Sequence, residues 1–461
     1  MELKPVKYQT SSAEERAISE SGEAAKEVER GVAGLAGDGD GRSGQDQYSG
    51  LMERMLENSN VAEALRRVES NKGSAGVDGM STLDLRAWLR LNWPRVKEQL
   101  RMGTFQPSAV RRCTIPKSGG GTRELGIPTV LDRFVQQALQ QVMTPIFDPT
   151  FSQHSYGFRP GKSALEAVMA AQAYVQEGRT YVVDIDLEKF FDRVNHDVLM
   201  GRLAKRIGDK RVLKLIRKFL TAHVMADGVV HQREEGTPQG GPLSPLLANV
   251  LLDEVDKALE HSGHAFCRYA DDLNVYVRSQ RAGERVMARV EKLFSALKLR
   301  VNQKKSAVAR PWERKFLGFT LVMNRHGKVK RALSPHATSR MKDRVRELTS
   351  RSRGRSLQHV GEELRRYLRG WRQYFGHVEI RQPLHGLDNF VHRRLRGLLL
   401  KQWKHGPTVY RNLMREGVPE GLSLRVAMYA KRIGWLTHQS FIYAAMPPKL
   451  FSALQLPKLA V

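Results

Sequence analysis

The spacing of apolar positions changes several times along the chain, and each change marks an element. Residues 181–187 (YVVDIDL) form a β-rich run that predicts a buried strand. After it, Val198/Leu199, Leu203 and Ile207 recur at helical spacing and predict a helix. Within 265–278 (AFCRYADDLNVYVR), Leu273, Val275 and Val277 alternate with Asn274, Tyr276 and Arg278, which predicts two short strands around a tight polar turn. A Pro/Gly turn at 237–241 opens an apolar helix over 243–252. Beyond Ser334 the pattern is helical, with Leu395, Leu398 and Leu399 on one face and Arg393, Arg394, Arg396, Lys401 and Lys404 on the others. Residues 1–50 have no period and little to bury, so a disordered acidic, Gly-rich tail is expected there.

Composition narrows the classes. Of 461 residues, 41% are hydrophobic, enough for real cores, and the length fits two or three domains. No apolar run approaches the ~18 residues that a membrane span needs. The N-terminus has no apolar segment of the secretory kind. Cys113 and Cys267 alone make neither a disulfide framework nor a Cys-rich zinc site, which points to a reducing compartment. No fixed-period repeat is found, which disfavours a solenoid. The net charge of +28 calls for a polyanionic partner, nucleic acid by default. It is uneven, at −4 over residues 1–50 and +16 over residues 336–461.

Three aspartates carry the candidate chemistry. Asp271 and Asp272 sit at the tip of the predicted hairpin, where two adjacent carboxylates repel unless water or a cation screens them. Alone the pair also fits a solvated turn, since Asp is a common turn residue. If Asp186 faces them from the neighbouring strand, three carboxylates converge and suit hard, oxygen-loving Mg²⁺ shared with substrate phosphates. A two-Mg²⁺ site of this kind activates a 3′-hydroxyl and stabilises leaving pyrophosphate. Mn²⁺ is the natural substitute.

YADD at 269–272 resembles the palm hairpin of reverse transcriptases, in the form common among bacterial group II intron reverse transcriptase/maturases. Other blocks resemble that family in order. TIPKSGGGTRELGIP (114–128) is similar to its fingers region, and QHSYGFRPGKSALEAV (153–168) to the segment that follows. DIDLEKFFDRVNHD (184–197) and EGTPQGGPLSPLLANVLLDEVD (235–256) resemble the first palm carboxylate motif and the template- and nucleotide-contacting motif. LKLRVNQKKS (297–306) and KFLGF (315–319) resemble the last two palm motifs, and LRRYLRGWRQYFGH (364–377) the maturase-specific domain.

The resemblance implies roles for residues at the matching positions. The family's metal ligand stands five residues before the aromatic of a Phe-Asp pair; here that aromatic is Phe191 and the ligand Asp186, with the Leu187 carbonyl as a further donor and Asp184 in a supporting place. Asp271 is then the surer ligand of the hairpin and Asp272 the less direct one. Phe191 matches the steric gate that excludes a ribose 2′-hydroxyl. Lys117 and Arg123 flank a Gly-rich turn and would hold a triphosphate. Gln239 and Gly240 would lie against the nascent base pair, and Lys305 would protonate the leaving pyrophosphate.

The implied architecture is an α+β right-hand polymerase. A tail at 1–50 precedes fingers and palm with an antiparallel sheet over 51–334; an α-helical thumb/maturase domain follows at 335–445 and a C-terminal tail at 446–461. The implied activity is RNA-directed DNA polymerisation, together with binding of group II intron RNA to assist splicing and target-primed retrotransposition. The partners are that RNA, an RNA template–DNA primer duplex, deoxynucleoside triphosphates and target DNA, with no membrane. The location is a bacterial cytoplasm, nucleoid-associated when acting on DNA. Two isolated cysteines leave no paired Cys-x-x-Cys ligands for the HNH-type nuclease that many relatives carry. Two rival readings share these motifs: a domesticated reverse transcriptase in defence or repair, and an RNA-binding maturase with vestigial polymerase activity.

Overall fold

The computed structural model describes residues 50–116, 122–226, 229–231, 235–237 and 240–460, with Pro116, Arg123, Ala226 and Val229–His231 described by their backbone alone. The tail expected at 1–50 lies, Gly50 apart, outside the described residues. So do Lys117 and Gln239. The described chain divides into two compact units that meet at Pro311/Trp312.

In the first unit α1 (Leu51–Met55), α2 (Asn58–Ser70) and α3 (Leu85–Arg101) precede the hairpin β1 (Val110–Pro116) and β2 (Thr122–Ile127). Next come α4 (Val130–Phe147), α5 (Ala164–Gln176), β3 (Tyr181–Ile185), α6 (His196–Ala204) and α7 (Lys210–Leu220). β4 (Val224–Ala226), β5 (Val229–His231), α8 (Ser244–His261), β6 (Ala265–Tyr269), β7 (Asp272–Val277), α9 (Gln280–Ala296) and β8 (Ala307–Ala309) complete it. Local chemistry sets several of these boundaries. Ser163 and Glu166 form a reciprocal capping box that starts α5. Asp209 caps α7 and also accepts from Met52 N, tying that helix to α1. α7 then buries Val212, Leu215, Ile216 and Phe219, the helical repeat of a core-facing stripe.

Two sheets organise this unit. The first, in the order β2-β1-β4-β5, is antiparallel except for the parallel pair β1–β4. The second, in the order β6-β7-β3-β8, is antiparallel throughout. Its hairpin is buried on both faces, because α5 packs on β6 and β7 while α9 packs on β3, β7 and β8. Asn274 and Tyr276 are therefore interior despite their alternation with Leu273, Val275 and Val277.

The second unit contains the hairpin β9 (Phe319–Met323) and β10 (Val329–Leu333) and the helices α10 (Pro335–Leu348), α11 (Leu357–Phe375), α12 (Gln382–Trp403), α13 (Gly406–Arg415), α14 (Glu420–Met428), α15 (Ile433–Leu436) and α16 (Phe441–Ala445). The hairpin before residue 334 thus packs within the second compact unit. The physical reason is pairing: Arg331 and Glu379 exchange hydrogen bonds, Tyr374 Oη donates to Leu317 O at 3.0 Å, and the Phe319 ring packs on Tyr374 and Phe375. Trp371, Tyr374 and Phe375 are all buried, so these aromatics build core rather than a stacking surface. Residues 446–460, expected as a tail, are packed in as well. Phe451, Leu454 and Leu459 are buried, and Asp388 accepts from Leu459 N and Ala460 N. Among the described residues no helix is long and apolar enough to cross a membrane.

Candidate active site

β3 is the strand on which the site is built, because it has a partner on each side. Against β7 its register runs Val183–Val275, Asp184–Asn274, Ile185–Leu273. One step further along both strands, Asp186 comes opposite Asp272. Against β8 the register ends at Asp184–Ala307, and an isolated bridge joins Leu187 to Val301. Between them the Asp186 backbone is fixed at both polar atoms: its N–H donates to Ser306 Oγ at 3.0 Å and its carbonyl accepts from Asn302 N at 2.8 Å. Val183, Ile185 and Leu187 point into the core, which turns the Asp184 and Asp186 side chains to the other face.

Asp271 occupies the two-residue loop between β6 and β7, next to Ala270, whose φ of 56° lies in the left-handed region. Two-residue hairpin loops use positive φ because it matches the twist of the flanking strands. Asp186, Asp271 and Asp272 thus share one end of one sheet. Lys305 Nζ stands 3.4 Å from both carboxylate oxygens of Asp186, and both side chains are substantially exposed. An ion pair that open contributes little to stability, so it holds no fold element in place. Asp184 is set apart from this end; with the Asn274 amide turned to donate, its nitrogen is 3.0 Å from Asp184 Oδ1.

Two of the nucleotide-side candidates, Phe191 and Gly240, are fixed by close backbone contacts. Phe191 lies in a single 3₁₀ turn after β3, partly buried and edge-on to Phe190, with ring centroids 5.0 Å apart. Its carbonyl accepts from Thr237 N at 2.7 Å, and Val194 O accepts from Gly236 N at 2.8 Å. A Cβ on Gly236 would stand 2.9 Å from Phe191 O, so only glycine lets these two segments meet. Gly240, at φ 137°, similarly presses on Gly126 O of β2, the strand that carries Arg123. Gly236 and Thr237 thus meet the Phe191 turn, and Gly240 meets β2.

No group of three or more His, Cys, Asp or Glu side chains among the described residues is drawn together closely enough to hold a metal ion. The donor set nevertheless suits one. Carboxylate oxygens at a partly open strand end are hard ligands that leave positions for water and phosphate, the mode Mg²⁺ adopts when substrate completes its shell. The Lys305 ammonium lies against the Asp186 carboxylate.

On the helical unit the expected RNA contacts separate. Lys401 and Lys404 are exposed, and Arg393 is half-buried with its guanidinium 5.3 Å from the Phe390 ring centroid. Arg394 is tied down, donating to Thr349 Oγ1, Thr349 O and Arg346 O at the end of α10. Arg396 does not fit its expected role. It is 0% exposed, its Nε donates to Met446 O at 2.7 Å, and it stacks over Tyr443. Its guanidinium is thereby shielded from solvent, unlike the exposed Lys401 and Lys404. A basic stripe that the sequence reading missed runs along α11, where Arg366, Arg369 and Arg372 are exposed opposite buried Leu364, Leu368 and Trp371. Its signal was three arginines at i, i+3 and i+6.

A second omission lies behind the hairpin. Arg268, Asp256, Asn249 and Ser155 form a fully buried polar cluster against the Ala270 carbonyl. Its signals were an arginine inside an apolar strand, and Asn249 and Asp256 two turns apart in an apolar helix.

An antiparallel sheet with aspartates gathered at one strand end is the arrangement of a template-directed polymerase palm. The family described as reverse transcriptase (RNA-dependent DNA polymerase) matches residues 115–321, and the group II intron maturase-specific domain matches residues 338–417. Protein YkfC of Escherichia coli K12 is 34% identical over 54% of this chain and 76% of its own length. The group II intron-encoded protein LtrA of Lactococcus lactis subsp. cremoris is 35% identical over 42% of this chain but only 32% of LtrA, so the chain spans about a third of that relative. Among solved structures, a partial Cas6-RT-Cas1–Cas2 complex shows 26% identity over 57% of this chain and 46% of that one, with a TM-score of 0.36. The chain belongs to the group II intron-encoded reverse transcriptase/maturase family.

Proposed function

We propose that the chain extends a DNA primer on an RNA template with deoxynucleoside triphosphates, and that it binds its group II intron RNA to assist splicing and target-primed retrotransposition into DNA. The observation that supports the polymerase reading is the strand register, which ends at Ile185–Leu273, so that one further step along both strands leads to Asp186 and Asp272, with Asp271 on the adjoining turn. Asp186, Asp271 and Asp272, with the Leu187 carbonyl, would hold Mg²⁺, or Mn²⁺ in its place. When bound, the metal supplies charge neutralisation for the attacking 3′-oxygen and the departing pyrophosphate.

The chain's own groups do the rest. Lys117 and Arg123 neutralise the triphosphate and orient it. Phe191 closes the space beside C2′ of the incoming sugar, excluding a hydroxyl by contact. Gln239 and Gly240 bear on the new base pair. Lys305 exchanges its Asp186 partner for the leaving pyrophosphate and delivers a proton to it. On the helical unit, Arg393, Lys401, Lys404 and the α11 stripe of Arg366, Arg369 and Arg372 contact RNA phosphates.

The test is primer extension on poly(rA)/oligo(dT) with Mg²⁺. Wild-type protein extends the primer, and Asp271→Ala, folded by circular dichroism, does not. Undiminished extension by Asp271→Ala sinks the assignment.

A further inference from the structure

Arg268 heads the fully buried side chains by size, and it sits one residue before the catalytic turn segment Tyr269–Asp272. All five of its N–H donors have acceptors. Nε and one proton of Nη2 go to Asp256, at 2.8 Å to Oδ1 and 2.5 Å to Oδ2. Nη2 also donates to Ser155 Oγ at 2.8 Å, and Nη1 to Asn249 Oδ1 at 2.9 Å. The remaining bond, from Nη1 at 2.9 Å, goes to the carbonyl of Ala270.

That last acceptor belongs to the peptide that enters Asp271. Holding the Ala270 oxygen holds the Ala270–Asp271 peptide plane, and with it the direction in which the Asp271 side chain leaves the turn. Ala270 also carries the left-handed φ of 56°, a conformation an alanine keeps only when its surroundings determine it. The guanidinium is itself immobilised from two sides. Asp256 and Asn249 lie two turns apart on α8, and Asn249 donates onward to Gly157 O at 2.9 Å. The segment containing Ser155 pairs with Arg268 through its backbone, with Arg268 N donating to His154 O and Tyr156 N to Arg268 O.

Folding alone does not explain a buried ion pair here, because well-packed apolar residues of similar volume generally stabilise such a position equally well or better. What an apolar pair lacks is a planar fork that bonds four partners at fixed angles.

We propose that Arg268 is a positioning residue for nucleotide addition: its guanidinium sets the Ala270–Asp271 peptide, and Asp256, Asn249 and Ser155 hold the guanidinium in register. The inference rests on the polymerase reading given above and names what aligns that site.

Two variants test it, Arg268→Lys and the double variant Asp256→Leu/Arg268→Met, alongside Asp271→Ala. Each is measured for thermal midpoint, for single-nucleotide extension (kcat and dNTP KM) and for binding of Mn²⁺ alone by electron paramagnetic resonance. Lysine keeps the charge that neutralises Asp256 but has no fork; the double variant removes charge and fork together. Both leave buried acceptors on Asn249, Ser155 and Ala270 unpaired, so they should unfold cooperatively at a midpoint lowered by several degrees. Both should also lose about tenfold or more in kcat, as an ångström-scale misplacement does. Their dNTP KM should stay within about twofold, and Mn²⁺ binding should weaken. Wild-type kcat in either variant overturns the proposal, because charge or packing alone would then suffice. A double variant that fails to fold overturns it too, since the pair would be needed for stability itself. Retained extension by Asp271→Ala is a different failure, that of the polymerase reading.

Discussion

Gly157→Ala is a one-carbon change that acts directly on the Tyr269–Asp272 turn. An ideal Cβ at position 157 would stand 2.3 Å from Ala270 N, 3.0 Å from the Tyr269 carbonyl carbon and 3.2 Å from Tyr269 Cα, all backbone atoms. Ordinary contact begins at 3.4 Å, so the two segments must part by about 1 Å. The 155–159 segment has little freedom to retreat. Arg159 donates to Ser152 O and Ser155 O while paired with Asp148, and Gly157 O is held by Asn249. The turn therefore takes much of the displacement. Overpacking of this size costs about 2 kcal/mol, or roughly 4–8 °C in midpoint for a unit of this length. A shift of about 1 Å in Asp271 costs on the order of 100-fold in rate. Gly201→Ala is the matched control: the same carbon is added to α6 with nothing within 4 Å, and it should stabilise by about 0.5–1 kcal/mol with no change in rate. The assay is single-turnover primer extension with parallel thermal unfolding. A Gly157→Ala protein with wild-type rate and midpoint would refute the reasoning, because the turn would then absorb the methyl without moving the carboxylate.

Phe191→Ala should raise ribonucleotide over deoxynucleotide incorporation in single-nucleotide extension while costing roughly 1–2 kcal/mol, since the ring is only partly buried; unchanged sugar discrimination counts against the gate. Burial raises the Asp132 carboxyl to about 7, against opposing hydrogen bonds from Thr129 Oγ1 and Ser108 N. The fold thus prefers neutral Asp132, so its contribution is complete below pH ~3.8 and is lost as pH rises through about 7, by up to about 4 kcal/mol. Urea midpoints at pH 5 and pH 8 should show Asp132→Asn flattening that fall, and an identical slope in the variant rejects the assignment. Lys401→Ala/Lys404→Ala should weaken RNA binding and reduce the slope of log K against log salt by about 1–2, whereas folded Arg396→Met should leave that slope alone. A reduced slope in Arg396→Met would return Arg396 to the RNA surface.

The sequence revealed the palm more readily than the helical unit, for a physical reason. Strand alternation and the YADD turn are local signals, and β3, β6 and β7 fall where that alternation places them. The hairpin β9–β10 reads locally like one more palm element. Its partners Tyr374 and Glu379 lie over 40 residues further on, and only tertiary pairing reveals its allegiance. Arg396 was misread because a helical face argument assumes one dry side. α12 buries Leu384, Leu387, Phe390, Val391, Leu395, Arg396, Leu398 and Leu400, which together wrap much of its circumference. Arg268 is illegible for the opposite reason: a charge inside an apolar strand acquires its meaning only from Asp256 and Asn249, which a different element brings to it.

Register also decides which aspartate of Asp184-Ile185-Asp186 reaches the end of the sheet that carries Asp271 and Asp272. A one-residue slip of β3 against β7 would turn Val183, Ile185 and Leu187, at 0%, 0% and 5% exposure, out of the core. At about 1.5–3 kcal/mol for each side chain, that loss rivals the net stability of a domain. A two-residue slip preserves the faces and would set Asp184 opposite Asp272, so the hydrophobic pattern alone does not forbid it. What forbids it lies on the other edge and just downstream. Asn302 N and Ser306 Oγ engage the backbone of Asp186 specifically, Leu187 bridges Val301, and Phe190 is 2% exposed within the core one turn later. Slipping by two would break all of these together. The apolar alternation therefore selects the face and the β8 side selects the residue, and both are needed to place a carboxylate opposite Asp272.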